Sequence, residues 1–146
     1  MSEPILRPFH LALPVKDLDE TRRFYTGLLG CAIGREASRW VDLNFFGHQV
    51  TLHLVDRVAM ADASNDVEAD AVPASHFGVI LTPTDWRALA DRLIAADVEF
   101  LIPPKVRFEG QVGEQATMFF RDPSGNALEF KSFADDKAIF AAEEQS

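Results

Sequence analysis

The chain has 146 residues, 47% of them hydrophobic, which suits one compact domain and leaves no run near the roughly 18 apolar residues a membrane helix needs. A net charge of −9 argues against nucleic acid and against an anionic membrane surface, so the expected partners are a small molecule and a second copy of the chain in a homodimer. One cysteine, Cys31, rules out an internal disulfide, and the N-terminus lacks the basic and apolar regions of a secretory signal; a reducing cytoplasm is the expected compartment.

In chain order, FHLALPV (9–15) is an apolar run headed by a histidine, and the spacing predicts a strand. A helix is predicted over 17–30. Asp17 is a good N-cap, Glu20 follows three residues later, Leu18, Phe24 or Tyr25, and Leu28 form the apolar stripe, and Gly30 stops it. RWVDLNFF (39–46) and QVTLHLV (49–55) read as strands around a Gly47-His48 turn. The acidic stretch at 57–74 reads as a solvated linker. SHFGVIL (75–81) again puts a histidine at the head of an apolar strand. A helix follows over 82–97, capped by Thr82 or Thr84, with Trp86, Leu89, Leu93 and Ala96 on one side. VEFLIPP (98–104) is a short strand ended by its prolines, PPKVRFEGQVGEQ (103–115) a long loop, and 114–133 a hairpin turning at Asp122-Pro123-Ser124-Gly125, where Gly125 supplies a positive φ. The tail at 134–146 is acidic and helical over 134–142.

The order is therefore βαβββ twice, with one module over about 8–56 and a second over about 75–133. His10 opens one module and His76 the other. Aligning VTLHL (50–54) with NALEF (126–130) sets His53 in the place of Glu129, so four metal-capable side chains occupy paired positions. Strand parity puts His53 on a face with Thr51 and Val55, and Glu129 with Ala127 and Lys131, while Leu52, Leu54, Leu128 and Phe130 face the other way. Each of the four also has a structural reading: strand-end hydrogen bonding for His10 and His76, an ion pair with Lys131 or Arg121 for Glu129, and a role behind the ligands or facing substrate for His53.

FHLALPVKDLDETRRFYTGLLG, HFGVIL and above all FFRDPSGNALEFK, with its D-P-x-G-N turn leading into a glutamate-bearing strand, resemble the vicinal oxygen chelate superfamily. That group holds glyoxalase I, type I extradiol dioxygenases, fosfomycin-resistance enzymes, methylmalonyl-CoA epimerase and bleomycin-resistance proteins. The resemblance implies an α+β fold in which two βαβββ modules form one curved, barrel-like sheet around a metal cleft. It implies His10, His76 and Glu129 as ligands of one divalent metal ion (Fe(II), Zn(II), Ni(II) or Mn(II)), with His53 where glyoxalase I usually has a glutamate.

Imidazole nitrogen and carboxylate oxygen suit such an ion. Four protein ligands would leave two octahedral positions for a substrate with adjacent oxygens, favouring glyoxalase- or isomerase-like Lewis-acid chemistry, with Glu129 the candidate acid–base group. Three ligands would favour an extradiol ring-cleavage dioxygenase. A bleomycin-resistance-type binding protein is the non-catalytic alternative. Trp40 and Phe46 are candidate apolar walls for the substrate, Lys131 a candidate contact, and Arg107, on the 103–115 loop, a candidate anion anchor.

Overall fold

The computed structural model describes residues 6–58, 64–67 and 70–142. The chain divides into two compact units, Met1–Ala59 and Met60–Ser146. No helix among the described residues is long and apolar enough to cross a membrane.

In the first unit, β1 (His10–Val15) leads into α1 (Leu18–Arg23), which continues as a π-helical turn over Phe24–Leu28. Asp17 caps it as the sequence requires, its carboxylate accepting from the Glu20 backbone N–H at 2.9 Å. Then come β2 (Ala32–Glu36), β3 (Trp40–Phe45) and β4 (His48–Leu54), in a four-stranded sheet of order β1-β4-β3-β2. β1 and β4 run parallel, with His10 opposite Gln49, Ala12 opposite Thr51 and Pro14 opposite His53. Val41, Leu43, Val50 and Leu52 are buried with Tyr25.

The second unit holds β5 (Ser64–Val67), β6 (Asp70–Pro73), α2 (Pro83–Ala95), β7 (Phe100–Arg107), β8 (Gln115–Arg121) and β9 (Ala127–Phe133). Thr82 caps α2, its hydroxyl accepting from Asp85 N–H at 3.2 Å. One face of the β7-β8-β9 sheet buries Met118, Phe120, Leu128 and Phe130, with the Phe120 and Phe130 rings stacked and the Trp86 indole donating to the Phe130 carbonyl at 2.9 Å. The other face carries Thr117, Phe119, Glu129 and Lys131 as opposed pairs.

The expectation of one curved, barrel-like sheet is corrected. The described strands form three separate open sheets, of four, two and three strands, and none closes on itself. Closing a barrel requires every edge strand to find a partner. Two features of the second unit explain why the pairing is divided. The supposed linker is not merely solvated: it folds into the β5–β6 hairpin, and Val72 packs on Ile102 and Phe119. The strand expected over 75–81 is reduced to two parallel bridges on β9, Phe77 to Leu128 and Ile80 to Lys131. Two further expectations shift. β7 runs through Pro103 and Pro104 to Arg107, because the register slips between Ile102 and Lys105, where the prolines owe no ladder donor. Among the described tail residues, a single 3₁₀ turn, Asp136–Ala138, stands in place of a helix over 134–142.

The bridged segment comes very close to β9. Glu129 N–H donates to the Phe77 carbonyl at 2.8 Å, and a Cβ built on Gly78 would lie 1.5 Å from the Glu129 carbonyl oxygen. Only glycine fits there. Gly78→Ala must therefore push the segment off β9, and we expect it to destabilise the protein by roughly 2–4 kcal/mol in denaturant melts. Gly34→Ala, where the nearest atom to a built Cβ is 3.5 Å away, is the matched control and should stay within about 1 kcal/mol.

Candidate metal-binding pair in the second unit

The hairpin turn between β8 and β9 fixes what faces what. Asp122 is buried; its Oδ1 accepts from the backbone N–H groups of Ser124 and Asn126, and its Oδ2 from the Asn126 side chain, all at 2.9 Å. Gly125 takes the positive φ, 91°, that the turn requires. This closes the register so that Phe119 stands opposite Glu129 and Thr117 opposite Lys131.

Glu129 is 8% exposed, and each of its oxygens has a partner. Oε2 accepts from the Thr117 hydroxyl at 2.5 Å; Oε1 lies 3.1 Å from His76 Nε2. The far side of the imidazole is also held: Nδ1 is 2.6 Å from the Pro73 carbonyl, and the ring meets Phe119 edge-on at 4.9 Å. A carbonyl only accepts, so Nδ1 carries a hydrogen. Nε2 is then the nitrogen with the free lone pair, and it points at a carboxylate oxygen. Two lone pairs at that separation need a cation between them. In the absence of a metal that cation is a proton. The Glu129 hydrogen bond, opposed by burial and reinforced by Pro73, raises the His76 pKa. Burial pushes the Glu129 carboxyl up, but His76, Thr117 and Lys131 outweigh it and hold it below its ordinary value.

The pair opens into a cavity of about 360 Å³ lined within the second unit by Val67, Val72, Phe108, Phe119, Gln115 and the polar groups of His76, Arg107, Glu129 and Lys131, among others. Lys131 Nζ stands 3.9 Å from Glu129 Oε1. Arg107 lies not on a loop but in β7, 3% exposed, donating to the Val67 carbonyl at 2.8 Å and to Asp70 at 3.0 Å. Lys105 shares the same Asp70 oxygen at 2.9 Å.

The other expected site residues lie in the first unit. His10 opens β1 and His53 sits late on β4, both exposed. The β1–β4 register sets them four residues apart on adjacent parallel strands, about 13 Å along the strand direction. It also corrects the alignment of the two modules. Two residues after His76, Gly78 meets the backbone of Glu129; two residues after His10, Ala12 pairs with Thr51. Thr51, not His53, holds the place equivalent to Glu129, and its hydroxyl donates to buried Asp42 at 2.6 Å. Trp40 lies opposite His53 with the Arg35 guanidinium 5.7 Å above its ring, and Phe46 lies at φ 52°, 38% exposed, beside a second cavity of about 220 Å³ lined with Leu29, Gly30, Cys31, Ala32 and Asn44. Residues that sequence reasoning missed are Thr117, Pro73 and Asp70. Thr117 was legible in principle, since hairpin register places it across from Lys131; Pro73 acts on His76 just three residues on, through a backbone carbonyl that carries no residue-type signal, and Asp70 depends on Lys105 and Arg107 far along the chain.

A model of the Glyoxalase/Bleomycin resistance protein/Dioxygenase superfamily matches residues 7–130. The chain belongs to that superfamily. The solved structure of a glyoxalase/bleomycin resistance protein/dioxygenase from Alicyclobacillus acidocaldarius is 34% identical, with 92% of this chain and 96% of that one covered and a TM-score of 0.78. A virulence protein of Salmonella typhimurium is 27% identical over 124 residues, 85% of this chain and 82% of that protein. The structure of a genomically encoded fosfomycin resistance protein from Listeria monocytogenes, 18% identical, covers 92% of this chain and 98% of its own at a TM-score of 0.69, a likeness of fold alone.

Many members of the superfamily use a metal. Here the donor chemistry fits one: an imidazole locked with its Nε2 lone pair outward, and a carboxylate oxygen beside it. Among the described residues, no group of three or more His, Cys, Asp or Glu side chains converges as a metal ion would require.

The proton-bridged pair makes metal-free stability pH-dependent. His76 is raised above its ordinary 6.5, so its contribution is complete below about 6.5 and is lost as pH rises through the raised value. Glu129 is lowered from 4.5, so its contribution is complete above about 4.5 and is lost as pH falls through the lowered value. The melting temperature of chelator-treated protein should be highest between those limits. In Glu129→Gln the decline on the alkaline side should shrink; an unchanged profile would show that the pair is not coupled.

Proposed function

We propose that this protein is a divalent-metal-dependent enzyme acting on a small substrate with vicinal oxygens, by glyoxalase- or isomerase-like Lewis-acid chemistry. The observation that carries the reading is the opposed Nε2 and Oε1 of His76 and Glu129, each fixed from behind by a partner, Pro73 and Thr117. Orienting partners of this kind are what metal ligands need. Family membership supports the same chemistry.

In this reading His76 and Glu129 hold the ion, which when bound polarises a substrate oxygen as a Lewis acid. The chain's own groups do the rest. Pro73 keeps the proton on Nδ1, so Nε2 is free to coordinate. Thr117 steadies Oε2 and leaves Oε1 as the coordinating oxygen. Phe119 and Val72 wall the cavity and exclude water from one side of the pair. Proton movement falls to Glu129, whose Oε1 lies against His76 and whose Oε2 accepts from the Thr117 hydroxyl. His10 and His53 belong to the first unit and carry no role in this reading of the second-unit pair.

Metal titration by calorimetry, followed by a substrate panel of hemithioacetals and catechols, tests the proposal. His76→Ala and Glu129→Ala should each lower affinity for Mn(II), Ni(II), Zn(II) or Fe(II) by more than about a hundredfold, and Thr117→Val by about tenfold. Affinity should fall as pH drops and the proton reclaims Nε2. A wild-type protein that binds no metal at stoichiometry would favour the ligand-binding alternative, and Fe(II)-dependent oxygen uptake with catechols would replace Lewis-acid chemistry with ring cleavage.

A further inference from the structure

We propose that the second-unit cavity takes a small oxyanion with an apolar body, a carboxylate or phosphonate, whose charged head pairs with the Lys131 ammonium. The inference rests on the same cavity as the metal reading and names the class of substrate that would enter it.

Arg107 lines the cavity, and Lys105 stands beside it through Asp70. Two cations share one carboxylate there. Lys131 and Glu129 add one charge of each sign. Among the described residues lining the cavity, two fixed cations, Arg107 and Lys131, face one carboxylate, Glu129, before His76 is counted. The chain as a whole carries −9, so this wall inverts the sign of the molecule. A concave, partly apolar site concentrates such a field and draws in the opposite charge.

Lys131 is the member of this set available to a ligand. Arg107 is 3% exposed and already donates to Val67 and Asp70. Lys105 donates to Asp70. The Lys131 ammonium has three donors and, among the described residues, no hydrogen-bond acceptor. Its nearest counter-charge, Glu129 Oε1, is 3.9 Å away and is engaged by His76 at 3.1 Å. Its side chain is 35% exposed, so it reaches the cavity without leaving solvent altogether. A neutral ligand covering it would leave a desolvated charge unpaired, which is strongly unfavourable, whereas an oxyanion satisfies it. Val67, Val72, Pro73, Phe108 and Phe119 supply the apolar part of the wall, with Gln115 a further neutral polar group. A volume of about 360 Å³ fits a ring-sized body with one charged head. Lys131 is thus a specificity-determining residue, placed beside the metal pair but not within it.

The test uses the full-length protein with phenylphosphonate as the probe and benzyl alcohol as its neutral counterpart, by calorimetry, both chelator-treated and loaded with Mn(II). Wild type should bind phenylphosphonate at millimolar concentrations or better and benzyl alcohol at least about tenfold more weakly. Lys131→Met should lose about tenfold or more for phenylphosphonate, and Lys131→Arg should restore most of it. Melting curves on both variants verify folding. Wild type that fails to bind the probe, equal binding of the neutral counterpart, or full binding by folded Lys131→Met would each overturn the proposal. Titration with Mn(II) alone keeps the two readings apart. Lys131-dependent anion binding in a protein that takes up no metal would sink the metal reading and leave this one standing; metal uptake with no anion binding would do the reverse.

Discussion

A carboxylate buried on the middle of a strand is tolerated only if both of its oxygens are answered. Glu129 meets that condition with a hydroxyl on the neighbouring strand and an imidazole from a segment outside the three-stranded sheet. Removing one partner from a buried charged pair typically costs about 3–5 kcal/mol, because the survivor is left unpaired in a poor dielectric. The exposed Arg39–Asp56 contact at 3.9 Å carries no comparable weight. The second unit is arranged around the demand of Glu129. Thr117 must lie diagonally across, which fixes the β8–β9 register, and His76 must arrive from the side, which fixes how the 77–81 segment meets β9.

Two local devices meet these demands. The buried Asp122 accepts three hydrogen bonds from the turn that follows it and so leaves the hairpin one register. Gly78 lets a backbone approach so close that no side chain fits. Behind them, the β5–β6 hairpin supplies Pro73, whose carbonyl orients the His76 ring, and Asp70, which gathers Lys105 and Arg107. A segment whose composition reads as solvent-exposed thus positions both the imidazole and the electropositive wall.

The legible parts of the fold were those with local causes. The Asp17 and Thr82 caps, the Trp86 face of α2 and the Asp122–Gly125 turn follow from neighbours within a few residues, and the structure shows them. His76 and Glu129 could be singled out because a histidine heading a strand and a glutamate after a D-P-x-G-N turn are patterns in the letters. What misled was register. Sliding one strand by two residues preserves its inside–outside alternation, so parity alone could not separate His53 from Thr51; hydrogen bonding between β1 and β4 does. The barrel-like sheet and the Arg107 loop failed for a related reason: pairing across 35–40 residues, as between Asp70 and Lys105 or Val67 and Arg107, leaves no trace in composition.

The shared claim beneath fold, site and chemistry is that His76 keeps a hydrogen on Nδ1 and presents Nε2 to Glu129 through a cation. Nitrogen-15 shifts of the His76 imidazole, followed in metal-free protein and during addition of diamagnetic Zn(II), report that state directly. The account predicts that Nδ1 stays protonated throughout, while Nε2 passes from protonated to metal-bound as the ion is added. A neutral ring with its hydrogen on Nε2, or an Nε2 signal indifferent to the metal, would contradict it.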